Sequence, residues 1–256
     1  MAQVHFLRGN LLFPRGDLEG CLQEHSMSLQ WAREARSAEL EAAALGGLGD
    51  AEYLSGRMLS AHERFRDCVA LSLRHGFGRI EVANRPLVSF TRWFAGDTRG
   101  ALADAEEAIA VARRVGHQRA EMVGHTVAWH CRHSLMNFDA AREHAEAALA
   151  LSRQLGARRF EAEALACQAE LHRLVGRREE AVAAAQEAVA ALETFARRQP
   201  SPWSNFVIAR GRALAAFGRG ARSVGMNDEL SRLRENGERL GLLVALPAIE
   251  AALTVS

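Results

Sequence analysis

The sequence predicts an all-α solenoid of about six stacked helical hairpins closed by a C-terminal capping helix, and three observations carry that expectation. The first is a 40-residue register: Gly16, Gly56, Gly96 and Gly176 recur on it, with Met136 in the one substituted slot. The second is a set of small residues in the same register: Cys21, Ala61, Ala101, Ala141 and Ala181, then Ser28, Cys68, Ala108, Ala148 and Ala188 seven positions later. The third is a pair of further landmarks, Glu41, Glu81, Glu121 and Glu161, and Gly76, Gly116 and Gly156, which extend the match over whole units. Such a repeat unit cannot bury its apolar face alone, so units stack and share a core with their neighbours.

Each unit reads as two helices. In the unit from Gly16 to Gly56, the segment Asp17 to Arg36 sets Leu18, Leu22, Leu29 and Ala32 on one side, and Ala38 to Leu54 sets Ala42, Leu45, Leu48 and Gly49 on another. Asp17, Asp97 and Asn137 directly follow the turn residue, where a side-chain oxygen caps the first free amides of the next helix. Gly76, Gly116 and Gly156 stand where a helix must stop. The small residues let paired helices approach closely, while Leu102, Phe138 and Val182 are expected to fill the flanks. The glycines of Gly46 to Gly49 read as packing, because no strand precedes them to make a dinucleotide loop.

The whole chain, 1–256, reads as a single solenoid domain with regular repeats to about residue 196. Arg197 to Ser204, with Pro200 and Pro202, marks a break. A degenerate repeat and cap over 203–256 follows, with helices expected at Trp203 to Phe217, Met226 to Leu240 and Leu243 to Leu253, the last started or bent at Pro247. Terminal units of an array must cover an apolar face that would otherwise be bare.

Composition narrows the function classes. The formal charge is +1, which supplies no overall field for nucleic acid or an anionic membrane. Every basic side chain except histidine is arginine, so no lysine is present to complete a phosphate loop, form a Schiff base or act as a general base. The arginine pairs Arg113-Arg114, Arg158-Arg159 and Arg177-Arg178 sit near helix ends and read as solvated. Met1 to Phe13 lacks a secretory pattern, and the alanine-rich stretch near Ala181 is interrupted by charge, so a cytoplasmic, non-membrane protein is expected. Cys21, Cys68, Cys131 and Cys167 form no CxxC pair and read as reduced thiols in small core slots.

Glycine at the turn with small residues five and twelve positions on, as in Gly56, Ala61, Phe65 and Cys68, is similar to the tetratricopeptide pattern, here on a 40-residue unit. The stretches GRMLSAHERFRDCV, HGFGRIEVAN, VGHQRAEM, LGARRFEAEAL and PWSNFVIARGRALAAFGRG resemble the C-terminal tetratricopeptide region of bacterial signalling proteins that carry a nucleotide cyclase and an AAA-type ATPase. The resemblance covers nearly the whole chain, but no cyclase or ATPase motif is present. It implies a non-catalytic scaffold or regulatory module that binds a protein or peptide partner in a concave groove. The alternative it implies is a small-molecule sensor array of an ATPase- or cyclase-linked regulator.

In tetratricopeptide arrays the first helix of each hairpin lines that groove. Its outward positions here are Asn10, Asp50, Phe90, His130 and Glu170, with Phe13, Tyr53, Trp93, His133 and Arg173 three residues on. Residues three apart share a helix face, so the two rows predict one strip of aromatic, imidazole and charged groups. Tyr53, Trp93, His130 and Arg173 are expected to be exposed along it; the competing expectation places Phe90 and Trp93 in the core between repeats. At about 100° per residue, His130 and His133 share a face and His125 points elsewhere, so two imidazoles alone define no metal site. No catalytic constellation and no cofactor site is expected.

Overall fold

One tight turn, repeated every 20 residues, builds the molecule. The computed structural model describes residues 1–218 and 220–254, so Arg219 and the last two residues of the expected cap lie outside the described residues. Positive φ occurs at Gly16, Arg36, Gly56, Gly76, Gly96, Gly116, Met136, Gly156 and Gly176, which halves the 40-residue register. After each turn from Arg36 onward, the next amide donates to a carbonyl five positions back, as in Ser37 to Ala32, Phe77 to Ser72 and Asn137 to Arg132, each at 2.9 Å. A left-handed residue with this bond satisfies carbonyls that a helix end leaves free. The following residue then caps the next helix: Asp17, Asp97 and Asn137 each accept from an amide three residues on, and His117 does so through its ring.

The elements in order are α1 (Ala2–Leu12), a 3-10 turn (Phe13–Arg15), α2 (Leu18–Glu34), α3 (Ala38–Leu54), α4 (Met58–His75), α5 (Gly78–Phe94) and α6 (Thr98–Val115). Then come α7 (Gln118–Ser134), α8 (Phe138–Gln154), α9 (Arg158–Leu174), α10 (Arg178–Arg198), α11 (Pro202–Gly218), α12 (Val224–Leu240), a 3-10 turn (Leu243–Ala245) and α13 (Pro247–Thr254). No strand occurs among the described residues. From α1 to α9 the odd-numbered helices pack on one another as well as on their hairpin partners, and the even-numbered ones meet chiefly those odd-numbered neighbours. The odd helices therefore form the inner, concave layer and the even helices the outer one.

Small residues set the spacing, as expected. Cys21, Ala61, Ala101 and Ala141 are fully buried. A Cβ on Gly49 would stand 2.6 Å from the Phe65 ring, so α3 and α4 approach only because position 49 carries no side chain. All four cysteines are free and buried. Burial pushes the Cys21, Cys68 and Cys131 thiols up to about 12, so they are neutral packing groups at neutral pH.

The last regular unit departs from expectation. Leu102 is buried and Phe138 half-buried, but Val182 is exposed and Ala181 only half-buried. The reason is packing: the C-terminal helices do not lie over the first turns of α10 as the next hairpin of the stack would. Instead α10 runs for 21 residues, and past its end Gln199 Nε2 donates to the Phe13 carbonyl at 3.0 Å. The connector thus carries the chain from the fifth unit back to the first. From there α11 packs against α3, the 3-10 turn Leu243–Ala245 packs against α5, and Leu240 of α12 fills the space beside Gly56. The largest apolar cluster accordingly joins Tyr53, Phe65, Phe90 and Trp93 with Trp203, Phe206, Leu230 and Ile249.

Candidate partner-binding groove

The inner layer sets its aromatic and imidazole groups in one continuous file. Trp93 of α5 stacks on His130 of α7, with centroids 4.1 Å apart, and Trp129 stacks on the other side at 3.8 Å. His130 Nε2 faces Glu163 of α9 at 3.7 Å. One turn along, His133 Nε2 lies 3.8 Å from Glu170, and Arg173 donates to both Glu170 oxygens, Nε at 2.7 Å and Nη2 at 2.6 Å. Side-chain exposure climbs along this file from 18% at His130 to 63% at Arg173, so the strip opens to solvent toward α9. Burial holds the His130 pKa below the ordinary histidine value against the opposing pull of Glu163, leaving a neutral ring that has one donor and one acceptor nitrogen.

The other end of the strip is closed. Tyr53 is 2% exposed, Phe90 0% and Trp93 8%, which overturns the expectation that Tyr53 and Trp93 line an open groove. The cause is the C-terminal block. Trp203 of α11 sits 5.9 Å from the Tyr53 ring, and Tyr53 meets Phe90 edge-on at 5.5 Å. Phe90 and Trp93 thus belong to a core, but one shared with the C-terminal helices rather than with adjacent repeats alone. His130 is mostly covered as well, held between its two indoles. Asn10 is exposed on α1, and Phe13 is half-buried beside the connector. Asp50 is partly exposed; burial of its carboxyl raises its pKa to about 6, while the charges of Arg119 and Arg159 pull the other way.

Arg159 is the residue that sequence reasoning missed. Taken with its neighbour as a solvated helix-end pair, it is in fact buried, its guanidinium carbon 4.1 Å from the Phe160 ring centroid, 4.7 Å from Tyr53 and 4.9 Å from Trp203. Cations lie favourably over aromatic faces. Its Nε stands 3.4 Å from Glu163 Oε1, close enough for charge pairing, yet neither atom is aligned for a hydrogen bond. The signal was available in the spacing: Arg159, Glu163 and Glu170 fall at i, i+4 and i+11 on α9, one helix face. His125 turns away from the groove, as its helical angle requires. It lies 2.8 Å from His144 through Nδ1, and Arg113 is 3.0 Å from its Nε2. Arginine can only donate, so His125 Nε2 is the acceptor and its Nδ1–H donates to His144.

No family model matches this chain, and no curated protein matches it. Among solved structures, a Rap protein complexed with competence and sporulation factor matches at TM-score 0.66 and 12% identity, over 98% of this chain and 73% of that one. The apo form of RapI matches at TM-score 0.64 and 11% identity, over 98% and 82%. The Rap conjugation gene regulator of the plasmid pLS20, in complex with the Phr* peptide, matches at TM-score 0.66 and 15% identity, over 96% and 64%. The fold is a tetratricopeptide-type helical array. At these identities the likeness establishes architecture, and the groove chemistry above is this chain's own. Among the described residues, no helix is long and apolar enough to cross a membrane.

Proposed function

We propose that this array is a non-catalytic scaffold that binds an extended segment of a partner protein along the open half of the strip, from His130 and His133 to Glu170 and Arg173. The observation that supports the reading most is the continuity of that strip across three successive inner helices, α5, α7 and α9, with exposure rising along it. Helices pack at about 8–10 Å, so the open step from α7 to α9 spans about 10 Å, the reach of roughly three extended residues. The half-open His133 ring supplies contact area there, the neutral His130 and the Glu170–Arg173 pair supply donors and acceptors, and none of these groups forms a nucleophile–base pair. Two of the structural neighbours are complexes, one with competence and sporulation factor and one with the Phr* peptide, which is consistent with a groove of this architecture receiving a peptide. The sequence resemblance to arrays of cyclase- and ATPase-bearing proteins is what supports a partner within a bacterial signalling system.

The test is site-specific photo-crosslinking. A photoreactive phenylalanine analogue at position 133, compared with one at the exposed outer position 114, should give a defined protein adduct only from the inner site. The adduct should map to a short segment whose synthetic peptide binds the purified chain. Adducts from position 114 alone would overturn the reading. A small-molecule adduct at position 133 would replace the scaffold with a sensor.

A further inference from the structure

We infer that the C-terminal helices α11, α12 and α13 form a displaceable lid: they occupy the first half of the concave groove and leave the array when a partner segment extends past Trp93 toward Tyr53. The inference deepens the groove reading and rests on it. The lid fills space that the repeat plan leaves open. Trp203 covers Tyr53 and Arg159 and the turn Leu243–Ala245 lies on α5, all in the inner layer, while Leu240 enters beside Gly56 at the α3–α4 turn and Gly241 meets the start of α4.

Several polar groups at the interface lack an aligned partner, as do some within the array such as His25 Nδ1 and Ser72 Oγ. Tyr53 Oη, Trp203 Nε1, Arg159 Nε and Nη2, and Glu163 Oε1 are all buried without an aligned hydrogen-bond partner. Buried polar groups in a committed core are nearly always paired, and leaving one unpaired is costly. Here they converge on the seam between lid and groove floor, where a peptide backbone, alternating donors and acceptors, would answer them. The joint is also undercut. A cleft of about 570 Å³ lies beside Gly16, Leu22, Arg57, Pro200 and Pro202, and one of about 410 Å³ is lined by α10 and α11, which the Arg212–Glu193 ion pair bridges. The first borders the connector, which holds Pro200 and leads into Pro202 at the first turn of α11.

Amide hydrogen exchange on the full chain tests the lid without any partner. Amides of α11, α12 and α13 should exchange at least about 100-fold faster than those of α6, α7 and α8, as a unit that opens below the free energy of global unfolding. Trp203→Ala should speed the lid a further tenfold or so and leave the array unchanged. A second variant closes the lid: a Cβ at position 241 stands 3.6 Å from the Met58 Cβ, within disulfide range, and the strain of a side chain at its left-handed φ of 71° is common to the oxidised and reduced forms. The Met58→Cys, Gly241→Cys double variant should bring the lid to the array's protection when oxidised and release it when reduced. Equal protection of lid and array in the wild type, with Trp203→Ala loosening both together, would overturn the inference. That result would leave groove binding standing, whereas a missing adduct at position 133 refutes groove binding and not the opening.

Discussion

Replacing the periodic alanines by leucine separates the buried register from its exposed end. Ala61, Ala101 and Ala141 have no exposed surface, each held at the crossing of its helix with neighbours on both sides. Leucine adds three carbon atoms where no space exists, and overpacking of this kind costs about 1–3 kcal/mol. For a chain of this length, 1 kcal/mol moves the melting temperature by roughly 2–4 °C, so each substitution should lower it by roughly 2–12 °C. Ala181 occupies the same register but is half-buried, because the C-terminal helices fold into the groove instead of covering the start of α10. Ala181→Leu should therefore stay within about 0.5 kcal/mol of wild type, as surface changes do. Thermal and urea melts followed by far-ultraviolet circular dichroism measure all four. An Ala181→Leu loss equal to that of Ala101→Leu would show that another hairpin covers α10, and the placement of the C-terminal helices would be wrong.

Further outcomes follow from single side chains. Met136 takes φ 62° and is 72% exposed, so Met136→Gly removes strain without losing buried contacts and should raise stability by about 0.5–1 kcal/mol in the same melts. Burial holds His25 and His125 neutral, each with its pKa lowered to about 4, so their contribution is complete above pH 6.5 and is lost as pH falls toward 4, up to about 3 kcal/mol each. Asp50 has the opposite sign: its pKa is raised to about 6, so it favours folding below its unfolded value near 3.8 and loses that contribution as pH rises through 6. Asp50→Asn should therefore stabilise the fold by about 1–3 kcal/mol at pH 7.5 and steepen its loss between pH 6 and 4, read from urea midpoints across that range. A destabilised Asp50→Asn at pH 7.5 would mean that Arg119 and Arg159 pair with the carboxylate more strongly than burial opposes it.

The hairpins were legible because their signals are local. A left-handed glycine, an N-capping Asp or Asn and a small residue at the crossing each act within a few residues, and the period multiplies them. The break at Arg36 was read from the apolar spacing on either side of it, since an arginine in the left-handed conformation carries no compositional mark. The inner file was half legible: the spacing placed Trp93, His130, His133, Glu170 and Arg173 on one side, and the structure brings them into contact. What the spacing could not supply was the return of the chain. Trp203 reaches Tyr53 across 150 residues, through a connector whose direction depends on Gln199 meeting Phe13 and on Gly16 leaving room for Pro200. Nothing periodic encodes that path, so Tyr53 and Phe90 looked like groove lining and Arg159 like a solvated end.

The measurement closest to the central claim is the affinity of the crosslinked partner peptide for variants of the open half of the strip. His133→Ala and Arg173→Ala should each weaken binding at least about tenfold, the scale of an interface anchor, with melting temperature nearly unchanged because both side chains are partly or largely exposed. Arg114→Ala on the outer layer should change neither. Undiminished affinity in the His133 and Arg173 variants, or a loss that appears only with Arg114→Ala, would contradict the assignment of the concave strip as the binding surface.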